Sequence, residues 1–168
     1  QRLAGVPMEP NGILAVPADG ALTCWVSHQA PHSIHGAYAP ALGLEPDQLR
    51  ILCPWVGGGL GPKPAPYIEH LVAAAAALAL GRPVKWTEDR LENFVATTQE
   101  RAQIHDAEIA LTSDGRILGV KDTFLHDTGA YDPYGLTVPI NSQCTLLGVY
   151  RVPAYDSEFR AVFTTTPI

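Results

Sequence analysis

Cysteine, basic charge and long apolar runs are all scarce in this sequence. Only three cysteines, Cys24, Cys53 and Cys144, occur in 168 residues. They lie far apart and form no CxxC pair, so neither a zinc nor an iron–sulfur ligand set is supported. The expected arrangement is three buried, reduced thiols in a cytoplasmic protein. Lysine and arginine number 11 against 17 aspartates and glutamates, a formal net charge of −6. With no basic run, the chain has no electrostatic footprint for nucleic acid or for an anionic membrane surface. The longest apolar run, Leu71–Leu80, is ten residues, about half of what a membrane helix needs. What is present is an apolar fraction of 46% with 17% charged residues, which excludes a disordered tail and permits a proper core. The length suits one domain or a little more, and residues 1–168 are read as part of one. A start at Gln1 and a stop at Ile168, directly after a strand-like run, lead us to expect a piece of a larger protein.

Punctuation along the chain predicts alternating strands and helices. Ile13–Val16 is a short apolar run, and Asp19-Gly20 turns it into a strand over Leu22–Ser27. Pro31 opens a helix that Gly43 closes. Leu49–Cys53 reads as a second strand and Tyr67–Leu80 as a helix, apolar all round in its second half and so expected to be buried on more than one side. Val84–Thr87 is a short strand and Glu88–Thr97 a short helix. Ile104–Thr112 alternates, Asp114-Gly115 makes a hairpin turn, and Ile117–Asp127 returns. Thr128–Thr145, punctuated by glycine and proline, is expected to be loop, and Glu158–Thr165 a last strand. The fold class is α+β (mixed α/β), a mixed sheet with packed helices.

The densest chemical signal is Gly57-Gly58-Gly59-Leu60-Gly61-Pro62-Lys63, between a strand and a helix. Glycines let backbone N–H groups approach a ligand closely, and successive N–H groups form concavities for anions. The loop is not a P-loop, because Pro62 separates Gly61 from Lys63 and no Ser or Thr follows; a GxGxxG fingerprint is excluded by the prolines that follow. Cofactor contact and a tight structural turn both remain open for it. Lys63 reads as a solvated lysine beside the turn, with a phosphate partner as the alternative. Gln29 is a loop glutamine facing solvent unless its amide serves an oxo group. His28, His32 and His35 have helical spacing but lack the further ligands of a metal site. Glu9 and Glu69 are candidate bases, but neither shows a partner in the sequence, and they read as solvated carboxylates. Asp127-Thr128-Gly129-Ala130-Tyr131 is either a functional loop or a plain turn.

Taken together, six stretches resemble the large subunits of the molybdenum hydroxylases, the family of xanthine dehydrogenase, aldehyde oxidase and the large chain of aerobic carbon monoxide dehydrogenase. They are the glycine loop with Lys63, Met8-Glu9-Pro10, Ser27-His28-Gln29, Gly81 to Arg90, Thr98-Gln99-Glu100-Arg101, and Asp127 to Tyr131, in the family's order. The resemblance implies a molybdopterin-binding segment. It maps an amide that hydrogen-bonds an oxo ligand of molybdenum onto Gln29, and a backbone surface against the cofactor onto Gly58, Gly59, Leu60 and Gly61. Leu60 stands where the family usually has Phe, and Pro64 where purine-oxidising relatives carry a Glu, so xanthine is not the expected substrate. The implied parent hydroxylates an aldehyde or an N-heterocycle, or oxidises CO, with water as oxygen source. Its general base lies outside these residues. Its molybdopterin is free or in the cytosine dinucleotide form, and [2Fe–2S] clusters and FAD sit on other domains or subunits. The alternative is a non-catalytic packing or assembly domain of the same family. Partners are the rest of the large subunit, the iron–sulfur and flavin subunits and a small-molecule substrate, with no nucleic acid and no membrane insertion.

Overall fold

The computed structural model describes residues 4–98 and 102–166. Its contacts divide the described chain into two compact units, residues 4–97 and residues from 98 onward.

The first unit is a four-stranded mixed sheet covered by helices. Strands β1 (Gly12–Ala18) and β2 (Ala21–Val26) form a hairpin, β3 (Leu49–Leu52) adds in parallel to β2, and β4 (Val84–Thr87) pairs antiparallel with β1. The sheet order is β3-β2-β1-β4. Period-two alternation puts Ile13 and Ala15 of β1 on the same face as Cys24 and Val26 of β2, and all four are buried. Helices α1 (Pro31–Ala41) and α2 (Ile68–Leu80) supply the other half of this core. α2 turns Ala73, Ala74 and Ala77 inward, small side chains that let its backbone lie close to the sheet. Only this face of α2 is buried: Ile68, Val72 and Leu80 stand well exposed. The expectation of burial on several sides is therefore not met within this chain, since the sheet has a single face to offer the helix.

Helix α3 (Arg90–Ala96) is started by a reciprocal cap: Glu92 N–H donates to Asp89 Oδ1 and Asp89 N–H to Glu92 Oε2, both at 2.8 Å. Just before it, the buried Glu88 carboxylate accepts from Asn11 N–H (2.8 Å), Asn93 Nδ2 (2.8 Å) and Thr97 Oγ1 (2.9 Å). Arg90 reaches back to the carbonyls of Pro7 and Met8. The segment that precedes β1 is thus held by α3 through polar groups.

The second unit is a three-stranded sheet in the order β5-β6-β7, built from β5 (Gln103–Leu111), β6 (Ile117–Gly129) and β7 (Tyr155–Phe163). The Asp114-Gly115 hairpin joins β5 and β6 antiparallel, and β7 lies parallel to β6. β6 buries Asp122, Phe124 and His126 at alternate positions. His105 holds Asp122 at 3.0 Å and stacks on Phe124 at 4.5 Å. Residues Thr137–Thr145, expected to be loop, form helix α4. Pro139 sits in its first turn, where a missing N–H costs nothing, and its apolar residues lack a helical period to betray it. Asp127 is absorbed by a turn: its carboxylate accepts from Gly129 N–H and from the hydroxyls of Thr164 and Thr166. Of the stretch Thr98 to Arg101, residues Gln99, Glu100 and Arg101 lie outside the described residues. The three cysteines differ from expectation: Cys24 is buried, Cys53 half-buried, and Cys144 exposed on α4. Among the described residues, no helix is long and apolar enough to cross a membrane.

Glu88→Ala leaves three buried donors without an acceptor. Each unmet group costs about 1–3 kcal/mol, so the variant is expected to lose at least about 3 kcal/mol, against about 1–2 kcal/mol for Glu88→Gln, which keeps one acceptor. Urea unfolding followed by circular dichroism measures both.

Candidate functional site

The glycine loop belongs to no strand or helix, so its backbone groups need partners elsewhere. Side chains from distant parts of the unit provide them. Glu9 Oε2 accepts the Gly57 N–H at 2.7 Å. Gln29 Oε1 accepts the N–H groups of Lys63 (3.0 Å) and Gly61 (3.3 Å), while the Gln29 N–H donates to the Lys63 carbonyl at 3.0 Å. Tyr67 Oη donates to the Pro62 carbonyl at 2.5 Å. His28 accepts the Ala30 N–H at Nδ1, which leaves Nε2 protonated to donate to the Ala65 carbonyl at 3.1 Å.

Two residues explain why the loop needs glycine. At Gly61 the backbone has φ +101°, a region an L side chain rarely enters. At Gly59 the constraint is contact: a Cβ there would lie 2.2 Å from Gln29 Cδ and 2.3 Å from its Oε1. Gln29 and the loop are therefore packed against each other, and Gly59 is the space in which the amide lies. Leu60 adopts φ +57° with its side chain two-thirds exposed, a strained arrangement for a residue that buries little. Among the described residues, the N–H groups of Gly58, Gly59 and Leu60 and the Gln29 NH₂ donate to nothing. Consecutive backbone donors, turned by alternating left-handed residues, form a concavity suited to oxygen-rich groups.

Two readings of the sequence are corrected here. Lys63 is not solvated: it is 1% exposed, with Nζ donating to Ser27 Oγ at 2.5 Å and to Glu9 Oε2 at 3.2 Å. Glu9 is no free carboxylate either, since Ser27 Oγ donates to the same oxygen at 2.5 Å. Burial alone would raise the Glu9 carboxyl, but the bonds from Ser27 and Gly57 and the Lys63 ammonium outweigh it and hold Glu9 below the usual range. Burial pulls the Lys63 ammonium down, partly opposed by Glu9. The signal for this cluster was in the sequence, as three of the six family-like stretches each contribute one member. Of the three histidines at helical spacing, His28 is used as above and His35 Nε2 contacts the carbonyls of Pro46 and Leu49. Gln29, Gly58, Gly59, Leu60 and Gly61, singled out together, do lie together.

The family described as molybdopterin cofactor-binding domain matches residues 1–168. The chain belongs to that family. It is 40% identical to the 6-hydroxypseudooxynicotine dehydrogenase complex subunit gamma of Paenarthrobacter nicotinovorans, covering 99% of this chain and 21% of that protein. It is 35% identical to the carbon monoxide dehydrogenase large chain of Hydrogenophaga pseudoflava, covering 97% of this chain and 21% of the relative. In three dimensions it matches quinoline 2-oxidoreductase from Pseudomonas putida with a TM-score of 0.85 at 34% identity, over 99% of this chain and 22% of that one. This molybdopterin cofactor-binding domain thus spans about a fifth of the length of these relatives. The resemblance to molybdenum hydroxylase large subunits holds, and the α+β class holds with it.

His70 is fully buried among the rings of His28, Tyr38, Tyr67 and Trp86, its Nδ1 3.2 Å from Tyr38 Oη. Burial pushes this imidazole down to about 4, with His28 and Lys63 adding to the effect. The unfolded chain binds a proton there near the ordinary value of about 6.5. The contribution of neutral His70 is therefore intact above pH 6.5 and lost progressively as the pH falls toward 4, by about 3 kcal/mol in all. Unfolding midpoints measured across that window, with His70→Gln as the control that flattens this part of the dependence, check it.

Proposed function

We propose that this domain forms one wall of the molybdenum cofactor pocket in the large subunit of a hydroxylase. Its substrate is an aldehyde or an N-heterocycle, or the subunit oxidises CO. The observation that carries the reading is the interlock of Gln29 with the glycine loop. The amide oxygen is committed to the Gly61 and Lys63 N–H groups, which leaves the NH₂ as the donor available to a ligand. A donor held in this way suits an oxo group. The row of donors at Gly58, Gly59 and Leu60 suits the oxygen-rich body of a pterin cofactor. The residues therefore fit the group that the family implies.

When bound, the molybdenum cofactor supplies a two-electron oxidation that draws oxygen from water. This chain's own part is positioning. Gln29, its rotamer fixed by two backbone bonds, would hold an oxo group by donating from Nε2. Gly59 admits the amide. Gly58, Leu60 and Gly61 would present backbone to the cofactor, and Leu60 adds an exposed apolar side chain beside it. Nothing in the loop carries a carboxylate toward the ligand, so the general base that takes the proton is assigned to the rest of the subunit. The cytosine dinucleotide form of the pterin, [2Fe–2S] and FAD on partner subunits, and a cytoplasmic location complete the proposal. Exposed Ile68, Val72 and Leu80 on α2 are the face we assign to the remainder of the large subunit.

Gln29→Ala in the full-length subunit tests this. A bond to a charged oxo group is worth about 1.5–3 kcal/mol, so activity per folded molecule is expected to fall by roughly 10- to 100-fold. Gly59→Val forces the amide out of its place and is expected to abolish molybdenum loading, with circular dichroism unchanged. Full activity and full molybdenum in Gln29→Ala would remove Gln29 from the metal's surroundings. Normal loading of Gly59→Val would remove the loop from the cofactor.

A further inference from the structure

Glu9 Oε2 is a single atom on which three donors converge: Ser27 Oγ, Gly57 N–H and Lys63 Nζ. Gly57 opens the glycine loop and Lys63 closes it, so one carboxylate oxygen gathers both ends. Lys63 is also the residue whose N–H and carbonyl grip Gln29. Glu9 is itself anchored, because Arg90 holds the carbonyls of the two preceding residues, Pro7 and Met8. The other charged groups acting on Lys63 are Glu88, which favours its charge, and Arg90, which opposes it. His28 and His70 lie near enough to feel that charge.

We propose that Glu9 and Lys63 are positioning residues, a charge-paired latch that holds the glycine loop and Gln29 in the cofactor-binding arrangement before the cofactor arrives. The proposal rests on the reading of the loop as a cofactor wall. Its physical core is that the Lys63 side chain is 1% exposed. A buried charge that loses its partner is far worse placed than a pair removed together. Without Glu9, Lys63 turns outward to find water and pulls the end of the loop with it. Without Lys63, the Glu9 carboxylate swings into solvent, toward which it is already 43% exposed, and releases the Gly57 N–H. With neither charge, a glutamine at position 9 still accepts from Ser27 and Gly57, and the loop closes over a methionine at 63.

The test uses the full-length subunit with its partners, produced where the cofactor is made. Lys63→Met, Glu9→Gln and the double variant are compared with the parent and with Gly59→Val. Molybdenum and pterin are counted per folded molecule, and amide exchange at Gly57, Gly61 and Lys63 is followed in cofactor-free protein. Each single variant is expected to lose at least tenfold in loading and to exchange these amides at least tenfold faster. The double variant is expected to return to within threefold of the parent on both measures. A purely structural pair predicts lower melting temperatures but parental loading per folded molecule; that outcome overturns the latch, as does a double variant no better than the worse single one. If Lys63→Met does not fold, Glu9→Gln decides alone, and unchanged exchange at Gly57 and Gly61 overturns the proposal. If Gly59→Val loads normally, the cofactor reading fails instead, and the exchange rates still judge the latch.

Discussion

An ammonium group cannot be taken out of water without company, and the arrangement of the first unit follows from where Lys63 finds it. Desolvating such a charge costs several kcal/mol, while charge-assisted hydrogen bonds return about 1.5–3 kcal/mol each. Lys63 Nζ has two, to Ser27 and Glu9. The two sides are of the same size, so the cluster adds little net stability. What it does add is a geometry: Glu9 must lie beside Gly57, Ser27 must lie beneath the loop, and the segment before β1 must pass where Arg90 can hold it. An apolar residue at 63 opposite an unchanged Glu9 would fill the core but leave that carboxylate without the charge that keeps it beside Gly57.

The loop that results is held by means unlike those of a helix or strand. Its backbone is held by a carboxylate, an amide, a phenol and an imidazole. Each of these lies within three residues of an element fixed by the alternation of β1 and β2 or by the alanine face of α2. Rigid scaffolding of an irregular segment is how a site keeps its donors aimed before a ligand is present. The left-handed backbone at Leu60 is consistent with this, since a strained residue persists only where its surroundings over-determine it.

The elements with a strong period or a marked turn were legible in the sequence. The β1–β2 and β5–β6 hairpins followed from Asp19-Gly20 and Asp114-Gly115, and β4 fell on Val84–Thr87 as expected. Helix α4 was not legible, because Thr137–Thr145 carries no apolar stripe and its proline reads as a breaker. The site divides in the same way. Glycines mark a loop by their own nature, and so that segment was recognisable. The burial of Lys63 was not, because residue type argues for solvent and only tertiary structure brings Glu9 and Ser27, 54 and 36 positions away, to its side.

The position of Gly59 changes what a glycine in such a loop signifies. The sequence invites the view that each glycine leaves room for a ligand. At Gly59 the room is already filled, by the protein's own amide, with a would-be Cβ 2.2 Å from Gln29 Cδ. The glycine therefore admits Gln29, whose Oε1 in turn holds the Gly61 and Lys63 N–H groups. The same logic orders the rest of the loop. Gly57 cannot take a Cβ because Glu9 Cβ would lie 2.5 Å away, and Glu9 is the group that seats Lys63. Two of the four glycines are thus spaces for the side chains that fix the loop, while Gly58 and Gly61, at φ +98° and +101°, supply the turns that aim its N–H groups. Spacing and conformation divide the glycines between two tasks, and the motif requires both sets at once.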